Sequence, residues 1–251
     1  MNKKAIYNQV LDFFSNLELP WDHFANDMCE SYNSIFEDFF NEELPKNLSD
    51  GVQYHTGASK WVIDIKGFEF IIKIPYEGYY DEVEDEDYDD CKIFDSYEEE
   101  EAYIESHHHM EFCPFESAEC DNYWDYCAAE MAVYDKAMRE GISHLFAKTL
   151  LFCRTKDGHP VYIQKRAINY WDCDDKTRRS RNFDKACDMS YHSSVPAEFL
   201  ALVLDMYGEK VANTLIKFCD DYGVGDLHLG NVGIRKSSRM PVLYDYSSFE
   251  S

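Results

Sequence analysis

Two segments with the alternating polarity of a β-hairpin lie on either side of one amphipathic helix, and this order limits the folds open to the chain. Residues 60–74 alternate around a Lys-Gly turn, and residues 147–166 alternate around a Lys-Asp-Gly turn. Between them, residues 118–140 place Cys127 and Met138 on one predicted helical face. The pattern predicts an α+β fold whose small β-rich lobe contains one helix.

Helical periodicity occurs at both ends of the chain. Residues 1–45 carry two runs of apolar side chains at helical spacing, separated by Pro20, and further helices are predicted at 197–206 and 208–222. We therefore expect three parts: an N-terminal helical extension (1–48), a β-rich lobe (49–167) and a smaller helical lobe (168–251).

An acidic insertion interrupts the β-rich lobe at residues 77–106. Its density of Asp and Glu predicts a solvated, partly disordered loop with a helical end. The whole chain has 49 acidic and 24 basic residues, so its formal net charge is −25. This charge disfavours direct binding to nucleic acid or to an anionic membrane, and it suits a solvated surface or the capture of a basic partner.

Composition also limits the compartment. The sequence contains no run of 18 apolar residues, so no membrane span is predicted. The first 24 residues lack the uninterrupted apolar region of a signal peptide. The nine cysteines are scattered, which favours reduced thiols over a disulfide framework. These features predict a cytoplasmic protein.

Three polar residues near the end of the sequence suggest a phosphate and metal site. Asp226 and Asn231 lie in a loop after a predicted helix, and Asp245 directly follows the predicted strand residues Val242, Leu243 and Tyr244. Carboxylate and amide oxygens are the ligands that Mg²⁺ takes in nucleotide sites. The spacing therefore favours a place that holds a divalent cation beside a phosphate.

The motif Asp-Leu-His-Leu-Gly-Asn at 226–231 resembles the D-x-x-x-x-N loop of the protein-kinase-like fold, which includes protein kinases and aminoglycoside and choline phosphotransferases. Asp245-Tyr246-Ser247 stands where that family has Asp-Phe-Gly. The resemblance implies that Asp226 orients or deprotonates the acceptor hydroxyl and that His228 contacts a phosphate. It implies that Asn231 and Asp245 bind Mg²⁺.

The same resemblance assigns residues in the β-rich lobe. Lys73, inside an apolar strand, matches the lysine that neutralises the nucleotide phosphates, and Glu130 matches its helix partner. Lys66 and Glu119 are the alternatives to these two residues. The turn with Gly57 and Ser59 would cover the phosphates of ATP, and the segment from Gln164 to Ala167 would be the hinge that faces adenine.

The resemblance covers roughly residues 50–251 and implies a two-lobed kinase-like fold with a reduced C-terminal lobe. Six residues follow Asp245, which is similar to the reduced kinases of some bacteriophages. We therefore expect an ATP- and Mg²⁺-dependent kinase of phage or prophage type that phosphorylates serine or threonine in host proteins. The alternatives are an inactive kinase-like protein that inhibits a partner through its acidic surface, and a small-molecule phosphotransferase.

Two other groups of residues contain side chains that can bind a metal or a phosphate. Residues 107–109 are all His and precede Cys113, Cys120 and Cys127, but the seven-residue Cys spacing is that of a helix face rather than a zinc knuckle. The basic residues at 178–181 form a small patch that could bind a phosphate or an acidic segment, and solvent exposure is the favoured interpretation.

Overall fold

The structure is a computed structural model. It describes residues 3–19, 31–56, 60–75, 78–84, 96, 99, 103, 108–114, 125–235 and 238–248. Two compact units divide the chain. The first comprises Met1–Leu17, Asp50–Pro75 and Asp125–Ser251, and the second comprises Glu18–Ser49 and Tyr76–Trp124.

The described elements are helices and short antiparallel strands. The helices are α1 (Lys3–Asn16), α2 (Ser31–Glu43), α3 (Lys46–Ser49), α4 (Tyr126–Arg139), α5 (Asp175–Arg178), α6 (Phe183–Ser190), α7 (Ala197–Tyr207) and α8 (Glu209–Asp221). The strands are β1 (Gln53–Thr56), β2 (Lys60–Asp64), β3 (Phe70–Pro75), β4 (Gly78–Glu84), β5 (His108–Pro114), β6 (Thr149–Arg154), β7 (Pro160–Lys165), β8 (Ile168–Asn169), β9 (Val224–Gly225), β10 (Val232–Ile234), β11 (Pro241–Leu243) and β12 (Ser247–Ser248). Short 3₁₀ turns occupy Ser143–Leu145, Tyr170–Asp172 and Leu229–Asn231.

A five-stranded antiparallel sheet in the order β1-β2-β3-β7-β6 forms one side of the first unit. Both predicted hairpins are present, as β2–β3 and β6–β7. Their turns contain Gly67 and Gly158, whose φ angles of 87° and 89° are strained for residues with a side chain. The expected α+β class with an antiparallel sheet is therefore confirmed.

Helix α4 packs against this sheet and begins at Tyr126; residues 118–124 of the predicted helix lie outside the described residues. The predicted apolar face of this helix is only partly buried. Cys127 is buried, but Met138 is 54% exposed, and the buried face continues through Glu130 and Ala137. The apolar pattern alone does not predict the buried face, because the carboxylate of Glu130 occupies one of its positions.

The rest of the first unit is built around helices α7 and α8, both of which the periodicity predicted. Their apolar faces form the centre of a core with Phe146 and Tyr246. A three-stranded sheet, β11-β10-β8, and the pair β12–β9 complete this part of the unit. These small sheets position the loop that contains residues 226–231.

The second unit contains α2, α3 and the antiparallel hairpin β4–β5. The hairpin pairs Gly78 with Pro114 and continues in register to Glu84 and His108. The expectation of a loop over the whole of 77–106 is wrong for residues 78–84, because Tyr79, Tyr80 and Val83 favour an extended strand. Most of the remaining insertion lies outside the described residues. Within the described part of the chain, no helix has both the length and the apolar character that crossing a membrane requires.

Candidate functional site

A buried ion pair joins strand β3 to helix α4. The Lys73 ammonium lies 2.7 Å from Glu130 Oε1 and 3.0 Å from Oε2, and it donates a third hydrogen bond of 2.9 Å to the carbonyl oxygen of Tyr244. Lys73 is 1% exposed and Glu130 is fully buried. The strand lysine and the helix glutamate of the expected site are thus in direct contact, and the lysine also contacts the residue before Asp245.

Lys60 belongs to the same cluster, although the sequence resemblance gave its side chain no role. Its ammonium lies 2.5 Å from Asp245 Oδ1 and 3.1 Å from Glu130 Oε1. Burial lowers the pKa of Lys60, but the carboxylates of Glu130 and Asp245 outweigh that effect and raise it overall, so the group is charged. The strand register explains why the two lysines meet. Val62 pairs with Lys73, and Lys60 lies on the same face of β2 as Val62.

Two uncharged side chains complete the environment of Glu130. Thr149 donates a hydrogen bond to Glu130 Oε2, and Gln164 Nε2 lies 2.9 Å from Thr149 Oγ1 and 3.4 Å from Glu130 Oε2. Gln164 was expected at a hinge facing adenine. The structure places it inside β7, fully buried, with its amide nitrogen turned toward Glu130.

Asp245 follows β11 and is charged despite its burial. Burial raises its pKa, but the Lys73 and Lys60 ammonium groups lower it more, and the net direction is downward. The next residue, Tyr246, is 1% exposed, packs edge-on against Phe146 and donates a hydrogen bond to the Ala147 carbonyl oxygen. This buried anchor fixes the backbone on the C-terminal side of the carboxylate.

The loop after β9 holds Asp226 in a left-handed conformation with φ of 57°. Such a φ is uncommon outside glycine and is best tolerated by Asp and Asn. Asn231 Nδ2 donates to the Asp226 carbonyl oxygen at 2.7 Å and to its carboxylate at 3.2 Å. The Asn231 amide nitrogen therefore fixes both the backbone and the side chain of Asp226, and no hydrogen bond from a described residue reaches its Oδ1.

The His228 ring is held beside Asp226 by its own loop. Gly230 N donates to His228 Nδ1 at 3.0 Å, so a neutral ring carries its hydrogen on Nε2, which lies 3.6 Å from Asp226 Oδ1. A Cβ on Gly230 would lie 2.6 Å from His228 Cε1, closer than two carbon atoms can pack. Glycine at this position thus allows the ring to fold back over the loop.

The segment after β7 is brought close to the 226–231 loop by pairing with β10, where Gly233 permits close packing. A Cβ there would lie 2.8 Å from the Ile168 carbonyl oxygen and 3.0 Å from Ala167 Cβ, so glycine permits β8 and β10 to meet. Asn169 adds hydrogen bonds to Gly230 O at 3.2 Å and to the Tyr244 hydroxyl at 2.7 Å. Ala167, the expected end of the hinge, is thereby brought beside the loop.

One cavity of about 1190 Å³ within the first unit collects these residues. Seven of the expected site residues line it: Lys73, Gln164, Ala167, Asp226, His228, Asn231 and Asp245. Lys60 also lines the cavity, and Glu130 lies behind the two lysines. Gly57 and Ser59 lie outside the described residues, as does Glu119, the alternative to Glu130. Lys66, the alternative to Lys73, is exposed in the β2–β3 turn.

Within the described ranges, no cluster of three or more His, Cys, Asp or Glu side chains could hold a metal ion. The residues expected to bind Mg²⁺ are an amide and a carboxylate, and their chemistry fits: Asp245 is ionised, and Asn231 presents a carbonyl oxygen. Burial raises the pKa of Cys127 well above its ordinary value, so this thiol stays protonated and is a poor zinc ligand. Comparison of the chain with protein-family models, curated proteins and solved structures finds no match.

Proposed function

We propose that the chain is an ATP- and Mg²⁺-dependent phosphotransferase with a two-lobed, protein-kinase-like arrangement, acting on a serine or threonine hydroxyl of a protein. The observation that carries the proposal is the convergence on one cavity of the Lys73–Glu130 ion pair, the ionised Asp245 and the Asn231–Asp226 pair. These residues come from sequence positions up to 172 apart, and all of them belong to the motifs that carry the sequence resemblance.

The residues divide the chemistry among themselves. The lysine ammonium groups would neutralise nucleotide phosphates at the end of the cavity formed by the five-stranded sheet. Asn231 and Asp245 would hold Mg²⁺, which supplies positive charge to the β- and γ-phosphates. Adenine would lie toward Ala167.

Asp226 would act on the acceptor. Its carboxylate is about half exposed, faces the cavity and is held by the Asn231 amide. The acceptor hydroxyl oxygen forms a bond to the γ-phosphorus, the bond from that phosphorus to the bridging oxygen of ADP breaks, and Asp226 accepts the hydroxyl proton. A positioned base of this kind accelerates a reaction by about 10²- to 10⁴-fold.

Asp226→Asn tests this assignment because asparagine keeps the shape and cannot accept the proton. We expect the variant to lose transfer of labelled γ-phosphate to proteins of a cell lysate by about 10²-fold or more, and to keep its affinity for Mg²⁺-ATP within a few-fold. Asp220→Asn, on the exposed end of α8, is the matched control and should retain full activity. Undiminished transfer by Asp226→Asn would overturn the assignment.

A binding protein on the same scaffold is the second candidate, favoured by one observation. Lys60 already occupies Asp245 Oδ1, as a cation would, so the cluster is neutral and complete without Mg²⁺. If wild-type protein neither transfers phosphate nor gains thermal stability with Mg²⁺-ATP, the cavity is a structural remnant, and the acidic surface becomes the functional feature.

A further inference from the structure

Lys60 and Lys73 reach the Glu130 carboxylate from neighbouring strands. They differ in how many of their N–H groups already donate hydrogen bonds within the protein. We propose that Lys60 makes the direct contacts to the nucleotide phosphates, whereas Lys73 is a positioning residue that ties α4 and the Asp245 segment to the sheet. The inference rests on the proposed function and assigns the phosphate-binding lysine of the same cavity.

Lys73 has no hydrogen left to donate. A lysine ammonium has three N–H groups, and those of Lys73 meet Glu130 Oε1, Glu130 Oε2 and the Tyr244 carbonyl oxygen, all within 3.0 Å. The Lys73 side chain is 2% exposed. Turning Lys73 toward a ligand would remove the closest cation from the fully buried Glu130 carboxylate. Separating one partner from a buried ion pair costs free energy because the other charge is left uncompensated.

Lys60 is held less completely. Its ammonium contacts Asp245 Oδ1 and Glu130 Oε1, and it lies 5.8 Å from the centre of the Tyr126 ring. Its contact with Glu130 is redundant because Lys73 is closer to the same oxygen, at 2.7 Å. Glu130 would still have Lys73, Thr149 and Gln164 after Lys60 turned away.

Movement of Lys60 also releases the residue that the proposed function assigns to the metal. When the Lys60 ammonium turns to a phosphate, Asp245 Oδ1 becomes free to accept a different cation. The carboxylate would exchange one positive charge for another, so it would never be left buried and unpaired. Lys60 would thus couple phosphate binding to the availability of Asp245.

The test is calorimetric binding of ADP and of adenosine, with Mg²⁺, to the full chain and to Lys60→Met. Methionine keeps the length of the side chain and removes its charge. We expect the affinity for ADP to fall by about 10- to 100-fold, as for loss of a charge-assisted hydrogen bond, and the affinity for adenosine to stay within two-fold. Lys60→Arg, which keeps the charge, should recover part of the ADP affinity.

Three outcomes would contradict the inference. If Lys60→Met binds ADP as the wild type does, Lys60 does not contact phosphate, and the proposed function is untouched. If ADP and adenosine weaken equally, Lys60 maintains the cavity and does not recognise phosphate. If the wild type binds neither ligand, the inference and the proposed function both fail. Thermal unfolding gives a further check, because Lys73→Met should destabilise the fold more than Lys60→Met.

Discussion

At the scale of single residues, Glu130 carries the most information. It is a fully buried carboxylate in contact with two ammonium groups, a hydroxyl and an amide. An unpaired charge in such a place would be prohibitively costly, so the surrounding residues must be present together. The sequence resemblance selected Lys73 and Glu130 but gave the Lys60 side chain no role, because only the register of β2 on β3 brings its ammonium to Glu130 and Asp245.

Glu130→Gln should destabilise the protein severely, because it leaves Lys60 and Lys73 with Asp245 as the remaining carboxylate. Removing one partner of a buried ion pair costs about 3–5 kcal/mol. Urea denaturation followed by circular dichroism would measure the loss. Asp135→Asn, on the exposed side of the same helix, should change the unfolding free energy by less than about 0.5 kcal/mol. Equal effects of the two substitutions would contradict the buried pair.

At the scale of elements, the sequence predicted most of what the structure shows in the first unit. Both long hairpins and helices α7 and α8 were predicted because their periodicity is undisturbed. Strand β4 was not predicted because three acidic residues among its seven, in a longer acidic run, are typical of a solvated loop. The inward face of α4 differs from the predicted apolar face because Glu130 is buried among its ion-pair partners, which lie 57 and 70 residues away in the sequence.

The N-terminal cap of helix α4 helps to position Glu130, which lies in the second turn of the helix. Asp125 caps the helix by accepting a hydrogen bond of 2.9 Å from Ala128 N, and it also accepts one from the Tyr162 hydroxyl on β7. Asp125→Ala removes both and should cost about 1–3 kcal/mol of unfolding free energy. Tyr162→Phe removes the second alone and should cost about 1 kcal/mol.

A double-mutant cycle separates these two contributions. Because the hydrogen bond between the Tyr162 hydroxyl and Asp125 is already absent in Asp125→Ala, adding Tyr162→Phe to that variant should cost less than it does in the wild type. Strictly additive losses, measured by the same urea denaturation, would mean that the hydroxyl and the carboxylate do not interact. The cap would then act on α4 without linking it to the sheet.

At the scale of the whole molecule, the formal charge of −25 and the pI of about 4.6 dominate behaviour in solution. Self-repulsion of this size destabilises the compact state, and lowering the pH relieves it. The cluster of Lys60, Lys73, Glu130 and Asp245 stands apart from this background, because its two lysines and two carboxylates balance each other. Composition could predict the acidic exterior, whereas the neutral cluster required knowledge of the register and of the α4 packing.

Acidification should also reveal an opposing contribution from His159. This residue is 8% exposed, and its Nε2 lies 2.6 Å from the Pro75 carbonyl oxygen. Burial lowers the pKa of His159 below its ordinary value of 6.5, more than the hydrogen bond to Pro75 raises it. Between the lowered and the ordinary value, the unfolded chain binds a proton that the native protein does not. Stability from this residue is therefore complete above about pH 6.5 and falls as the pH drops below it.

His159→Gln isolates that contribution, because glutamine can donate to the Pro75 oxygen and does not titrate. Unfolding free energies measured from pH 7.5 to 5.5 should show the wild type losing stability relative to the variant as the pH falls, with a constant difference above pH 7. The relief of self-repulsion is common to both proteins and cancels in the comparison. His192→Gln, at an exposed position, controls for the loss of one imidazole. A difference between wild type and His159→Gln that does not vary with pH would show that His159 titrates alike in the folded and unfolded chain.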